Sequence, residues 1–145
     1  MKNILVSLDF DKGSDILLEK AAEMALAFGS KVWIVHIAPP DPDFVGYEAG
    51  PQSVRDTVAE ELRKKHKALQ GFAENLRGKG LDAHALLLQG ATVETILQEA
   101  EKINTDLIIA GHEEHNFIYK SVIGSVSSRL LRKSKIPVML VPISR

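Results

Sequence analysis

A run of small and hydroxyl-bearing residues, Gly124-Ser125-Val126-Ser127, stands at the start of a predicted helix and has the composition of an anion site. The first backbone N–H groups of a helix have no partner within it, and the helix dipole adds positive potential there. Gly124 lets the backbone approach a ligand closely, and the hydroxyls of Ser125 and Ser127 add two donors. We therefore expect this turn to hold phosphate.

The elements that must position this turn alternate between strand and helix. Apolar runs typical of buried strands alternate with apolar stripes at helical spacing, and the strands are predicted at 4–8, 31–38, 81–88, 107–110 and 138–141. The order β-α-β-α-β-α-β-α-β predicts a single α/β domain over residues 1–145, with a parallel sheet covered by helices on both faces. Ligands of such sheets bind beyond the carboxyl ends of the strands, where Asp9, Ile37 and Gly111 stand.

Several side chains of the helices have predicted positions. Ser14 is expected to cap the first helix, and Phe28 is expected on its inner face. Val126, Leu130 and Leu131 are expected to face the sheet from the last helix. His36 lies in a strand, where a packed or hydrogen-bonded core histidine is the ordinary reading, and the long loop 39–52 has the length of a flap over a site.

Composition excludes several classes of function. The 145 residues include 18 basic and 19 acidic ones, a net charge of −1, which argues against a nucleic-acid surface. There is no cysteine, so neither a disulfide nor a thiolate metal site can form. No apolar run approaches the length of a membrane span and no signal peptide is evident, so we expect a cytoplasmic protein without membrane contact. The segment 112–115, His-Glu-Glu-His, lacks the spacing of a zinc helix, and we expect no metal site there.

Familiar phosphate motifs are absent. The turn from Asp9 to Gly13 is not the glycine-rich dinucleotide fingerprint, and no P-loop occurs. A phospho-receiver domain would need an aspartate and a lysine where this chain has Gln89 and Pro142. No catalytic constellation is evident, so we expect a protein that is not an enzyme, with slow nucleotide hydrolysis left open.

The spacing of the glycines points to a family. Gly111 is followed, after the loop, by Gly124-Ser125, and Asp9 closes the first strand. With 35–37 (Val-His-Ile) and 136–141 (Ile-Pro-Val-Met-Leu-Val), these residues resemble the universal stress protein family over nearly the whole chain. The resemblance implies a three-layer α/β/α fold of the adenine nucleotide alpha hydrolase-like type, with strand order 3-2-1-4-5. It also implies ATP or a related adenine nucleotide bound between strands one and four.

Each site residue takes its role from this resemblance. Asp9 would lie near the base and ribose, Ile37 would meet adenine through its backbone, and Gly111 would approach the ribose and phosphates. Gly124, Ser125 and Ser127 would hold phosphate oxygens. The resemblance further implies a homodimer through the edge strand 138–141, and a bare apolar edge invites such pairing.

Glu114 departs from the family pattern, which has glycine at that position in the nucleotide-binding branch. A carboxylate ~6 Å from one phosphate charge costs roughly 2–3 kcal/mol at an effective dielectric near 20, and a bound Mg²⁺ would reverse the sign. Three readings stay open. The first is a regulatory module that binds an adenine nucleotide, and the second is a dimeric interaction protein of the same fold in which Glu114 excludes the nucleotide. The third, ranked behind these two, is an enzyme that acts on an adenylate or a phosphorylated small molecule.

Overall fold

The computed structural model describes residues 1–10, 13–39, 52–112 and 125–143, without the side chains of 52–55 and 125. Nine elements follow in the predicted order: β1 Asn3–Ser7, α1 Ser14–Phe28, β2 Lys31–Ala38, α2 Gln52–Gly78, β3 Ala83–Gln89, α3 Thr92–Lys102, β4 Leu107–His112, α4 Ser125–Lys133 and β5 Val138–Pro142. The strands form one parallel sheet in the order β3-β2-β1-β4-β5. The predicted fold class and strand order are confirmed.

The helices cover the two faces of the sheet in pairs. On the first face, α1 and α2 bury a cluster that includes Leu17, Leu69 and Ile109. On the second face, α3 and α4 bury a cluster that includes Ile96 and Leu130. The inner residues of β1 have no exposed surface, because a central parallel strand is covered from both sides. This arrangement explains the continuous apolar runs of the sequence.

The predicted start and inner face of α1 need two corrections. Ser14 is the first helical residue, and the cap is Gly13, whose φ of 85° lies in the left-handed region. Glycine adopts this conformation without the clash that a Cβ would cause. Phe28 is 56% exposed, because the buried stripe of α1 ends at Ala25 and the helix itself ends three residues later.

The predicted inner face of α4 is partly wrong. Leu130 is fully buried as expected, but Val126 and Leu131 are 42% and 44% exposed. The residue that shares the inward face with Leu130 is Ser127, three positions earlier, which is buried.

Within the described parts of the chain, no helix is long and apolar enough to cross a bilayer.

Candidate functional site

The strand order creates a crevice at one end of the sheet. β1 lies between β2 and β4. The chain leaves β1 towards α1 on the first face, and α4, which follows β4, packs on the second face. Neighbouring loops that diverge in this way leave a cleft beyond the carboxyl ends of the strands, where ligands of doubly wound sheets bind.

Register places three predicted site residues at this end of the sheet. Ser7 pairs with Val35 of β2 and with Ala110 of β4. Asp9 and Ile37 each lie two residues beyond that level, and Gly111 lies one residue beyond it. Asp9 is exposed, whereas the side chain of Ile37 is buried among the residues under α3. The sheet therefore brings the backbones of these three residues to the same end of the strands.

The start of α4 is joined directly to the end of β4. The hydroxyl of Ser127 donates a hydrogen bond to the carbonyl oxygen of Gly111 at 3.2 Å, and Ser127 is buried. This bond holds the first turn of α4 beside the crevice. It also commits the hydroxyl proton of Ser127 to the protein itself. The backbone N–H groups of that turn are the donors that a helix start leaves without a helical partner.

Gly111 lies under close packing on one side. A Cβ built on it would stand 3.2 Å from Cδ1 and 3.3 Å from Cγ2 of Ile143, and 3.4 Å from Cδ1 of Leu17. Its φ is not in the left-handed region, so the restriction is steric. No role for Ile143 was predicted from the sequence, because this contact depends on residues far apart in the chain.

His36 fixes the turn that carries Asp9. Its Nδ1 lies 2.7 Å from the carbonyl oxygen of Leu8, which can only accept, so Nδ1 carries the proton and donates. The ring of Phe10 meets the imidazole edge-on at 4.6 Å between centroids. The prediction of a hydrogen-bonded core histidine is confirmed. Sequence reasoning missed its partner, Leu8, which pairing across strands alone determines.

Charged side chains link α4 to α3. The Glu94 carboxylate in the first turn of α3 accepts hydrogen bonds from Arg129 and, at 3.3 Å, from Lys133. A hydrogen bond from its own backbone N–H, followed by the one from Lys133, holds the pKa of Glu94 below its ordinary value. The two basic groups of α4 are thus partly neutralised and held on the α3 side of the helix.

The other predicted site residues lie outside the described part of the chain. These are Gly124, the side chain of Ser125, Glu114, the motif ending at His115, and the flap apart from its two ends. Ser125 itself is the first residue of α4. Among the residues that the structure does describe, no three His, Asp or Glu side chains are grouped to hold a metal ion.

Comparison with known proteins decides the family. The sequence model of the universal stress protein family matches residues 1–142. The chain belongs to this family. A universal stress protein of Thermus aquaticus is 32% identical, over 97% of this chain and 98% of its own length. One of Methanocaldococcus jannaschii is 28% identical, over 97% and 81%.

Solved universal stress proteins share the fold. The protein UspA of Lactobacillus plantarum superimposes with a TM-score of 0.80 at 16% identity, covering 97% of both chains. A universal stress protein in complex with cAMP gives 0.70 at 20% identity, over 99% of this chain and 98% of that one. One from Archaeoglobus fulgidus in complex with dAMP gives 0.63 at 20% identity, over 97% of both. At these identities the likeness establishes the fold.

Proposed function

We propose that this universal stress protein is a small regulatory module that binds an adenine nucleotide in the crevice between β1 and β4, with little or no hydrolysis. The observation that carries the proposal is the hydrogen bond from Ser127 to the carbonyl of Gly111, which holds the first turn of α4 beside the end of β4. The amides of that turn, which have no partner within the helix, would provide donors and positive potential for phosphate. Family members of the same fold bind cAMP and dAMP, which supports an adenine nucleotide as the ligand.

The roles proposed for the site residues are those that the family resemblance implies. The backbone of Ile37 at the end of β2 would meet the adenine ring, and Asp9 at the end of β1 would receive ribose hydroxyls. Gly111 would line the path from ribose to phosphate. Gly124, Ser125 and Ser127 would hold phosphate oxygens. Because the Ser127 hydroxyl donates to Gly111, its contribution would come from its backbone N–H.

Calorimetric titration with ATP, AMP and cAMP, with and without Mg²⁺, tests the proposal. We expect saturable binding that Gly124→Asp weakens by at least about tenfold, since a carboxylate at the helix start repels phosphate. Gly71→Asp is the matched control. It introduces the same charge at an exposed glycine of α2 where a side chain meets nothing. The proposal would be contradicted if none of the three nucleotides bound at millimolar concentration.

The second reading, an interaction protein that excludes nucleotide, rests on Glu114. Replacing Glu114 by Gly removes the carboxylate and restores the family residue. Under the first reading the wild-type protein binds and this variant binds more tightly, by up to about a hundredfold when no cation screens the charge. Under the second reading only the variant binds. Release of ADP from ATP, measured alongside, tests the proposed lack of hydrolysis.

A homodimer through β5 completes the proposed module. β5 is the last strand of the described sheet, and its Val138, Met139 and Leu140 are half-buried. An apolar edge strand with free backbone groups favours pairing with another chain. Sedimentation velocity across micromolar concentrations should give a dimer, and a monomer throughout that range would contradict this part of the proposal.

A further inference from the structure

We propose that Ile143 is a positioning residue for the crevice, and that its contact with position 111, rather than the approach of a ligand, is what requires glycine there. Its side chain acts as a wedge between the turn before α1 and the end of β4. The consequence for nucleotide affinity rests on the proposed function, whereas the structural consequence is independent of it.

The wedge touches an element on each side of the crevice, the end of β4 and the turn before α1. At the end of β4, a Cβ at Gly111 would crowd Cδ1 and Cγ2 of Ile143, which would have to shift by a few tenths of an ångström. At the start of α1, a Cβ at Gly13 would lie 2.5 Å from Cβ and 2.8 Å from Cγ2 of the same isoleucine. Real Cβ atoms do not approach other atoms as closely as the distances at Gly13 would require. The absence of a side chain at Gly13 and Gly111 therefore makes room for Ile143 between them. One side chain therefore lies against both the turn before α1 and the end of β4.

The wedge is itself fixed by the sheet. The backbone N–H of Ile143 donates to the carbonyl oxygen of His112 at 3.0 Å, which extends the pairing of β4 with β5 by one step. The side chain packs on the first-face cluster beside α1. Ile143 is thus anchored through its backbone to β4 and contacts the turn before α1 through its side chain.

A ligand at the start of α4 would meet the other side of Gly111. Along β4, Leu107 and Ile109 point to the first face, whereas Ile108 and Ala110 point to the second, where α4 packs. Alternation directs position 111 to the first face, towards Leu17 and Ile143. A methyl group at 111 would therefore crowd Ile143 and Leu17 and would point away from a phosphate held by α4.

A double-mutant cycle of Gly111→Ala and Ile143→Ala tests the wedge. Gly111→Ala should lower both stability and ATP affinity in the wild-type background, because the added methyl group crowds Ile143 and pushes the end of β4 away from the turn before α1. In the Ile143→Ala background the same change should cost little in either quantity, since the obstructing atoms are gone. Gly111→Ala combined with Ile103→Ala is the control. Ile103 is also half-buried but packs on the second face, so those effects should add.

Three measurements read out the cycle: urea unfolding, amide hydrogen exchange at residues 13–17 and 111–112, and ATP titration. In Ile143→Ala alone, hydrogen exchange should rise together at residues 13–17 and at residues 111–112. Ile143→Val should restore part of the protection. If Gly111→Ala weakens ATP binding equally in both backgrounds, the ligand requires the glycine and the inference is overturned. If the wild-type protein binds no nucleotide, the proposed function fails but the inference about Ile143 can still be tested. In that case, the inference is overturned if the effects of Gly111→Ala and Ile143→Ala on stability and on hydrogen exchange simply add.

Discussion

The hydroxyl of Ser127 and the carbonyl oxygen of Gly111 are joined by a hydrogen bond of 3.2 Å, so the first turn of the last helix is tied to the end of the strand before it. The two residues belong to the elements on either side of the long loop. Their bond lies between buried or half-buried groups, where an unpaired acceptor is costly. The position of the first turn of α4 beside the crevice therefore depends in part on this hydroxyl.

We predict that Ser127→Ala lowers the free energy of unfolding by about 1–3 kcal/mol, because the Gly111 carbonyl loses its donor. Ser127→Thr keeps the hydroxyl and should lose less. Ser128→Ala, one position along and half-exposed, is the control and should change stability by no more than about 0.5 kcal/mol. Urea unfolding measures all three. Equal losses for the 127 and 128 alanine variants would show that the bond contributes nothing.

His36 should hold the turn after β1 in the same way. In His36→Leu the buried carbonyl of Leu8 loses the Nδ1 donor, and we expect a loss of about 1–3 kcal/mol in the free energy of unfolding. His84→Leu is the control, because the side chain of His84 is 41% exposed and hydrogen-bonds to the exposed side chain of Asp82. The prediction fails if the two leucine variants are equally stable.

Asp106 should stabilise the fold in a pH-dependent manner. Its carboxylate accepts backbone N–H bonds from Lys2 at 2.7 Å and Asn3 at 2.9 Å, and these bonds, the one from Asn3 first, hold its pKa below the ordinary value. A lowered folded pKa stabilises the protein above the unfolded pKa of about 3.9, and this stabilisation is lost as pH falls through the folded value.

Asp106→Asn should therefore be less stable than the wild type near neutral pH, and the gap should close as pH falls below about 4. Thermal unfolding at a series of pH values measures the gap. Glu74→Gln removes the same charge from the exposed face of α2 and serves as the control. A gap that stays constant down to about pH 2 would mean that the two backbone bonds do not depend on the charge.

The bridge from Glu94 to Arg129 and Lys133 should matter more for position than for stability. All three side chains are more than a third exposed, so solvent and salt screen their attraction. We predict that Glu94→Gln changes stability only slightly, and less still at high salt. It should release Arg129, so the exchange of α4 amides should rise at low ionic strength. Unchanged exchange in α4 would contradict the prediction.

The sequence predicted the scaffold better than the contacts at its edge. Continuous apolar runs identify strands covered on both faces, and alternation with helices implies the parallel sheet, so the path of the chain was predictable from local pattern. The strand order came from the family resemblance. Helix faces were less certain: in the short α4, apolar Val126 and Leu131 are exposed while polar Ser127 is buried, because its hydroxyl finds a partner 16 residues earlier.

The contacts missed near the crevice depend on long-range geometry. Gly111 was noted as a motif glycine, but its crowding by Ile143 becomes evident only once β5 pairs with β4. Likewise, the partner of His36 is set by the register of β1 with β2. For such contacts the sequence shows one partner, a glycine or a histidine, but does not show which residue it contacts in the fold.

The most direct test of nucleotide binding in the crevice is an NMR titration of the ¹⁵N-labelled protein with ATP. We predict saturable shifts at the amides of Ser125, Val126 and Ser127, at Gly111 and at Ile37. Amides at the opposite end of the sheet should stay unchanged. No saturable shift at the α4 amides, or shifts confined to the opposite end, would contradict it.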